Sequence, residues 1–190
     1  MKGYCNLRAV PMRLEPSDRS EMVNQLLQAD TVEVEERQEK WSLVRCDYDG
    51  YRGWVDNKQL VFFDSANQLA ERLFLDTPYL WGGRSTGGID CSGLTQVCFR
   101  AAGVWLPRDA SQQATCGVEV CQCDPQADDL AFFHNAEGRV IHVGICRGDG
   151  TIIHSSGCVR IDALDSAGIY DRKAAAYTHR LHSIRRVAAL

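Results

Sequence analysis

The chain has 190 residues, of which 45% are hydrophobic and 24% charged, and its formal net charge at pH 7 is −4. This composition is typical of a soluble globular protein with one or two domains. Because the sequence contains no basic stripe, we expect neither nucleic acid nor an anionic membrane as a partner. No apolar run reaches the length that a transmembrane helix needs.

The first residues and the cysteines both bear on the cellular compartment. The segment from Met1 to Arg8 has no apolar core, so as written it is not a signal peptide. Nine cysteines are an odd number, and their apolar neighbours are typical of buried free thiols rather than of a disulfide framework. We therefore expect a cytoplasmic location, or a secreted or periplasmic one if a signal has been removed.

Residues 1–63 are predicted to form a small all-β domain, because short runs with strand-like alternation follow one another between turn sequences. Asp49-Gly50, between two of these runs, is a strong hairpin signal. Strands this short and this numerous favour a small barrel. The predicted strands are Leu7–Val10, Thr31–Glu36, Trp41–Cys46, Tyr51–Val55 and Leu60–Phe63.

Residues 64–190 are predicted to form a second domain of the α+β class, with helices first and an antiparallel sheet after them. Asp64 or Ser65 can cap a first helix, apolar residues at helical spacing follow Cys91, and Asp109 can cap a third helix. The predicted strands of this domain are Leu130–Phe133, Val140–Cys146, Thr151–Ser155, Val159–Ile161 and Tyr177–Val187.

A glycine-rich loop leads directly into Cys91 at the start of the second predicted helix. A thiol in the first turn of a helix lies at the positive end of the helix dipole, beside backbone N–H groups that have no intrahelical partner. Both features favour the thiolate over the thiol, so we predict that Cys91 is a nucleophile. Its own backbone N–H, together with the hydroxyl of Tyr79, is predicted to stabilise an oxyanion.

Two histidines, His142 and His154, lie in consecutive predicted strands joined by a short glycine-containing turn. A hairpin would place the two imidazoles side by side, with His142 as the base for the thiol and His154 as the residue that orients it. A buried structural thiol at position 91 and satisfied core histidines remain the alternatives at this point. His134, His179 and His182 have no such context and are predicted to be surface or turn residues.

Three motifs in this order resemble the NlpC-type cell-wall peptidases: Asp-Cys-Ser-Gly at 90–93, His-Val-Gly-Ile at 142–145 and Ile-Ile-His-Ser-Ser-Gly at 152–157. The resemblance implies a papain-like α+β fold with a Cys-His-His triad. The first domain resembles bacterial SH3-like domains, most specifically at Gly53-Trp54-Val55. The combination resembles γ-D-glutamyl-L-diamino acid endopeptidases, which cleave murein stem peptides that begin with a free L-Ala.

The resemblance also implies roles for individual residues. Cys91, His142 and His154 match the triad, and Tyr79 matches an active-site tyrosine. Asp90 would face the substrate ammonium. The further predicted substrate contacts are Ser92, Ser111 and, from the SH3-like domain, Glu21 and Tyr51.

Other functions were weighed against this one. A zinc site at Cys116, Cys121, Cys123 and His134 is disfavoured by the Cys-x-Cys spacing, so we expect neither a metal nor a cofactor. A non-catalytic wall-binding module, a hydrolase of intact murein and an acyl transferase or amidase acting on lipids are the alternative functions. The sequence leaves open the oligomeric state and the choice between diaminopimelate and lysine in the substrate.

Overall fold

A computed structural model describes residues 1–187, which form two compact units divided between Asp64 and Ser65. The division lies one residue after the predicted boundary, and residues 188–190 of the second predicted domain lie outside the described residues. Among the described residues, no helix combines the length and hydropathy needed to cross a bilayer.

The N-terminal unit is a seven-stranded antiparallel sheet that wraps around a small apolar core. The hairpin predicted at Asp49-Gly50 is present, with Gly50 at a φ of +74°. Two strands were not predicted, because Lys2–Tyr4 is very short and Met22–Leu27 buries only Leu26. The strands β1 to β7 are Lys2–Tyr4, Ala9–Arg13, Met22–Leu27, Thr31–Arg37, Trp41–Cys46, Arg52–Asp56 and Val61–Phe63.

Three short to medium α-helices open the C-terminal unit: α1 (Ala66–Leu69), α2 (Cys91–Ala101) and α3 (Ala110–Gln113). Ser65 caps α1, as predicted, through a hydrogen bond from the backbone N–H of Gln68 to its hydroxyl. The apolar residues predicted on one face of α2 are buried. The predicted start and class of these helices are therefore confirmed.

The strands of the C-terminal unit include a closed ring. Because β16 pairs with both β11 and β15, the six strands β11 to β16 close on themselves, and β10 adds to β16 at the outside. The strand Gly168–Asp171, which was not predicted, completes this ring. The strands β8 to β16 are Arg84–Ser85, Gly88–Ile89, Val118–Val120, Leu130–His134, Val140–Cys146, Thr151–Ser156, Cys158–Leu164, Gly168–Asp171 and Ala176–Arg186.

Candidate active site

The start of α2 is fixed by the residues on either side of Cys91. The carboxylate of Asp90 accepts a hydrogen bond from the backbone N–H of Gly93 at 2.7 Å, which caps the helix. Gly93 has to be glycine, since a Cβ there would collide with the backbone oxygen of Gly83. Helix α2 packs on β12, and the backbone N–H of Val143, the residue that follows His142, lies near enough to lower the pKa of the Cys91 thiol. The structure thus brings the nucleophile predicted on α2 to the strand that carries the predicted base.

The ionisation of Cys91 differs from the sequence prediction. Burial raises the pKa of the thiol above its ordinary value of 9.0, and the negative charge of Asp90 raises it further. The backbone N–H groups of Val143, Ser92 and Cys91 lower it, as a helix start should, but they do not offset the burial. The predicted effect of the helix start is therefore present but is outweighed by burial, because the residue is only 7% exposed. The thiol needs a base to remove its proton.

The predicted base, His142, lies in a histidine pair on β12 and β13. The Nε2 of His142 is 2.9 Å from the Nδ1 of His154, and both residues are buried. Gly144 lies directly opposite His154 in the sheet, and a Cβ there would come within 2.9 Å of the Cβ of His154. The glycine of the His-Val-Gly-Ile motif therefore leaves room for Cβ of His154 and for the side chain of Ile152, whose nearest atom would be 2.7 Å away. Because Nε2 of His142 faces His154, Nδ1 is the ring nitrogen left for the thiol.

A chain of charged residues continues behind His154, and sequence reasoning missed it. The Nε2 of His154 is 3.0 Å from a carboxylate oxygen of Asp162, whose other neighbour is the guanidinium of Arg160. Arg160 in turn contacts Asp171 at 3.0 Å. Burial alone would raise the pKa of Asp162, but the hydrogen bonds from His154 and Arg160 hold it below its usual value. Arg160 and Asp162 alternate along β14, beside β13, which was the available sequence signal.

The prediction for His179 is wrong. It lies within β16, is half-buried, and its ring stacks on that of His142 with centroids 4.2 Å apart. Burial, together with the neighbouring His154, lowers the pKa of His179 to about 4, so this ring is neutral near pH 7. It packs here because β12 and β16 flank β11, whose Phe133 contacts the rings of both His142 and His179. His134, at the end of β11, and the exposed His182 lie outside this cluster.

Four further residues predicted to bind substrate meet Cys91 around one cavity of about 840 Å³. They are Tyr79, Asp90, Ser92 and Ser111. Burial raises the pKa of Tyr79, and the nearby groups of Cys91 and Asp90 raise it further, so its hydroxyl stays protonated. The exposed side chains of Trp81 and Ile141 also line the cavity. A groove with this lining presents apolar walls and a few polar groups beside the sulfur.

Asp90 has fewer free acceptor positions than the sequence prediction requires. One carboxylate oxygen accepts from Gly93, Arg108 and, at 3.4 Å, Ser92, while the other accepts from Gly82 and Arg108. Burial would raise the pKa of this carboxyl, but Arg108 and the two backbone N–H groups keep it below its usual value. A substrate ammonium would have to displace one of these donors. The contact between Asp90 and an ammonium stays a prediction, and this saturation weighs against it.

The two remaining predicted substrate contacts belong to the N-terminal unit. Glu21 and Tyr51 are exposed residues of the N-terminal unit, and their substrate contacts stay predictions. Cys121 and Cys123 form a disulfide, whereas most of the other cysteines are free and buried, as predicted. Within residues 1–187, no group of three or more His, Cys, Asp or Glu side chains is arranged to hold a metal ion.

Comparison with known proteins decides the family. Residues 76–178 match the NlpC/P60 family, and residues 12–60 match the bacterial dipeptidyl-peptidase Sh3 domain. The chain belongs to the NlpC/P60 family. Its homologues in that family are cysteine peptidases, and all three residues predicted as the triad fall within the matched range.

Relatives and solved structures agree with this family. A γ-D-glutamyl-L-lysine dipeptidyl-peptidase of Bacillus cereus is 35% identical over 118 residues, covering 56% of this chain and 35% of that protein. Its namesake in Bacillus subtilis is 48% identical over 84 residues, covering 43% and 28%. The chain thus matches about a third of the length of these relatives. The crystal structure of an NlpC/P60 family protein from Bacillus cereus shares 25% identity and a TM-score of 0.61, covering 97% of this chain and 62% of that one.

Proposed function

We propose that this protein is a cysteine peptidase that cleaves the bond between the γ-carboxyl of D-Glu and a diamino acid in murein peptides with a free N-terminal L-Ala. The observation that carries the proposal is the histidine pair, which leaves Nδ1 of His142 for a thiol placed at the start of α2. The names of the Bacillus relatives and the match to the dipeptidyl-peptidase Sh3 domain support the finer substrate.

The first half of the reaction transfers the acyl group to sulfur. His142 takes the proton of Cys91 on Nδ1, and the thiolate attacks the γ-carbonyl carbon of D-Glu. The negative charge that develops on the carbonyl oxygen is met by the backbone N–H of Cys91 and by the protonated hydroxyl of Tyr79. His142 then returns the proton to the nitrogen of the diamino acid as the C–N bond breaks. A thioester of Cys91 and a free amine result.

The second half releases the acyl group with water. His142 takes a proton from a water molecule, whose oxygen attacks the thioester carbon. The C–S bond breaks, the sulfur regains its proton from His142, and L-Ala-γ-D-Glu leaves with a new γ-carboxyl group, which releases its proton to water. The sequence of steps needs no redox partner or cofactor, and it returns the enzyme to a neutral thiol and a neutral imidazole.

The acid limb of this activity is expected to have its midpoint below pH 6.5. Burial, together with the neighbouring His154 and His179, holds the pKa of His142 well below its usual 6.5, so the base stays unprotonated as the pH falls to that value. The measurement is kcat/KM for tripeptide cleavage from pH 4 to 8. A midpoint at or above 6.5 would contradict the buried neutral base.

Unfolding has to be followed across the same pH range. A histidine whose pKa is lower in the folded than in the unfolded state binds fewer protons when folded, so stability is lost as the pH falls below 6.5. A loss of rate that coincides with unfolding would not report on His142, whereas a loss in fully folded protein would.

The substrate proposal is tested with L-Ala-γ-D-Glu-diamino acid tripeptides and their N-acetylated forms. Peptides ending in L-Lys and in diaminopimelate are both offered, because the relatives are named for lysine. We expect the free N-terminus to raise kcat/KM by at least about tenfold over the acetylated form, since acetylation removes a charge that a matched site would bind. Equal turnover of free and acetylated peptides would rule out the N-terminal preference and favour a hydrolase of intact murein.

A further inference from the structure

Each imidazole of the pair has two ring nitrogens, and the position of the protons decides whether His142 can act as a base. The Nε2 of His142 and the Nδ1 of His154 face each other at 2.9 Å, so one of the two donates and the other accepts. If His154 Nδ1 carries the hydrogen, His142 must accept on Nε2 and, when neutral, carries its own hydrogen on Nδ1. In that arrangement the nitrogen left for Cys91 has no lone pair to offer.

Asp162 selects the other arrangement. Its carboxylate can only accept hydrogen bonds, because its pKa is held below the usual value and the group is ionised. The His154 Nε2, 3.0 Å away, therefore carries the hydrogen and donates it. In the neutral imidazole, Nδ1 of His154 then becomes the acceptor for His142 Nε2–H. This leaves the lone pair of His142 on Nδ1, where a thiol proton can be taken up.

Arg160 holds the carboxylate of Asp162 in the position from which it faces His154. The guanidinium of Arg160 donates to both oxygens of Asp162, at 2.7 and 2.8 Å. It is itself held by Asp171 on the neighbouring strand, β15. Asp162 is therefore held in place as a hydrogen-bond acceptor for Nε2 of His154.

We infer that Asp162, held by Arg160, is a positioning residue that fixes which nitrogens of His154 and His142 carry hydrogen and so leaves His142 Nδ1 free to deprotonate Cys91. The inference rests on the proposed function only for the use made of that nitrogen. The proton arrangement itself is a property of the folded protein without substrate. It adds a fourth member to the triad that the family resemblance implied.

The direct test is nitrogen NMR of the full chain labelled with ¹⁵N at the histidine ring nitrogens. In the wild-type protein near pH 7, both His142 and His154 are expected to show a protonated Nε2 and an unprotonated Nδ1, each assigned by loss of its signals in His142→Gln and His154→Gln variants. In Asp162→Asn the amide can donate to His154, so the signals of His154 should shift toward the Nδ1-protonated form. A wild-type spectrum with Nδ1 of His154 protonated would overturn the inference.

Asp171→Asn is the matched control, because it also loses a contact to Arg160 but touches neither imidazole. It is expected to leave the ring-nitrogen signals unchanged. If Asp162→Asn and Asp171→Asn lower stability equally and neither moves the signals, Asp162 has only a structural role and the inference fails. If Asp162→Asn does not fold, Asp162→Ser is compared with Asp171→Asn instead. The shorter serine side chain cannot accept the hydrogen bond from His154 that the Asp162 carboxylate accepts.

The chemical readout is alkylation of Cys91 by iodoacetamide near neutral pH, followed by peptide mapping. Asp162→Asn is expected to slow this alkylation by at least about tenfold, because less His142 is in the form that can accept the thiol proton. No peptide substrate enters either experiment. A wild-type protein that shows the expected proton positions but cleaves no murein peptide would contradict the proposed function and leave the role of Asp162 intact.

Discussion

Replacing Cys91 by alanine is expected to lower kcat/KM for the free tripeptide by at least about 10³-fold, because no other group can form the acyl intermediate. The serine variant should lose nearly as much. A hydroxyl is a far weaker acid than a thiol, and burial already raises the pKa of the group at this position. The measurement is the rate of release of the free diamino acid, followed at matched concentrations of folded protein.

Cys116→Ser is the matched control for this prediction. Cys116 is a free, partly exposed cysteine that does not line the cavity around Cys91. Its replacement should leave kcat/KM within about twofold, as is usual for partly exposed residues outside a site. A Cys91→Ala variant that keeps more than a tenth of the wild-type rate would exclude sulfur as the nucleophile. A wild-type protein with no activity on any of the tripeptides would favour the wall-binding module.

Replacing Arg108 by alanine is expected to lower the free energy of unfolding by about 2 kcal/mol. The change leaves the buried carboxylate of Asp90 without the guanidinium that contacts both of its oxygens. The loss should fall below that of a fully buried ion pair, because the side chain of Arg108 is 32% exposed. Activity should fall as well, since an unbalanced charge at Asp90 raises the pKa of Cys91 further. Denaturant unfolding and kcat/KM measure the two effects.

The double variant Asp90→Asn/Arg108→Ala distinguishes the effect of an unpaired charge at Asp90 from a simple loss of the packing of Arg108. It removes the unpaired charge but keeps an oxygen that can cap α2, so it should recover part of the stability lost in Arg108→Ala. Arg108→Lys keeps the positive charge but cannot make the paired hydrogen bonds of a guanidinium. Its free energy of unfolding should therefore lie between those of the wild type and Arg108→Ala. If the double variant is no more stable than Arg108→Ala, the contribution of Arg108 is its packing and not its charge.

The elements around the site followed from local sequence signals. The apolar spacing after Cys91 places a helix start at the predicted nucleophile, and the short strand-like runs around His142 and His154 place both histidines in neighbouring strands. Capping and periodicity are properties of residues close together in the chain, so one sequence is enough to predict them. The family motifs lie within these same elements, and this is why the predicted family is confirmed.

The pairing of the strands determines the side-chain contacts around the site, which the sequence leaves open. His179 stacks on His142 because β16 and β12 flank β11, and Asp162 reaches His154 through the register of β14 against β13. The thiol of Cys91 is harder to ionise than its place on α2 suggests, since its burial depends on the sheet packed against the helix. The chain's own pattern determines its elements and predicts its nucleophile. The contacts around that predicted nucleophile depend on strand register and on the packing of α2 against the sheet, so only the tertiary structure decides them.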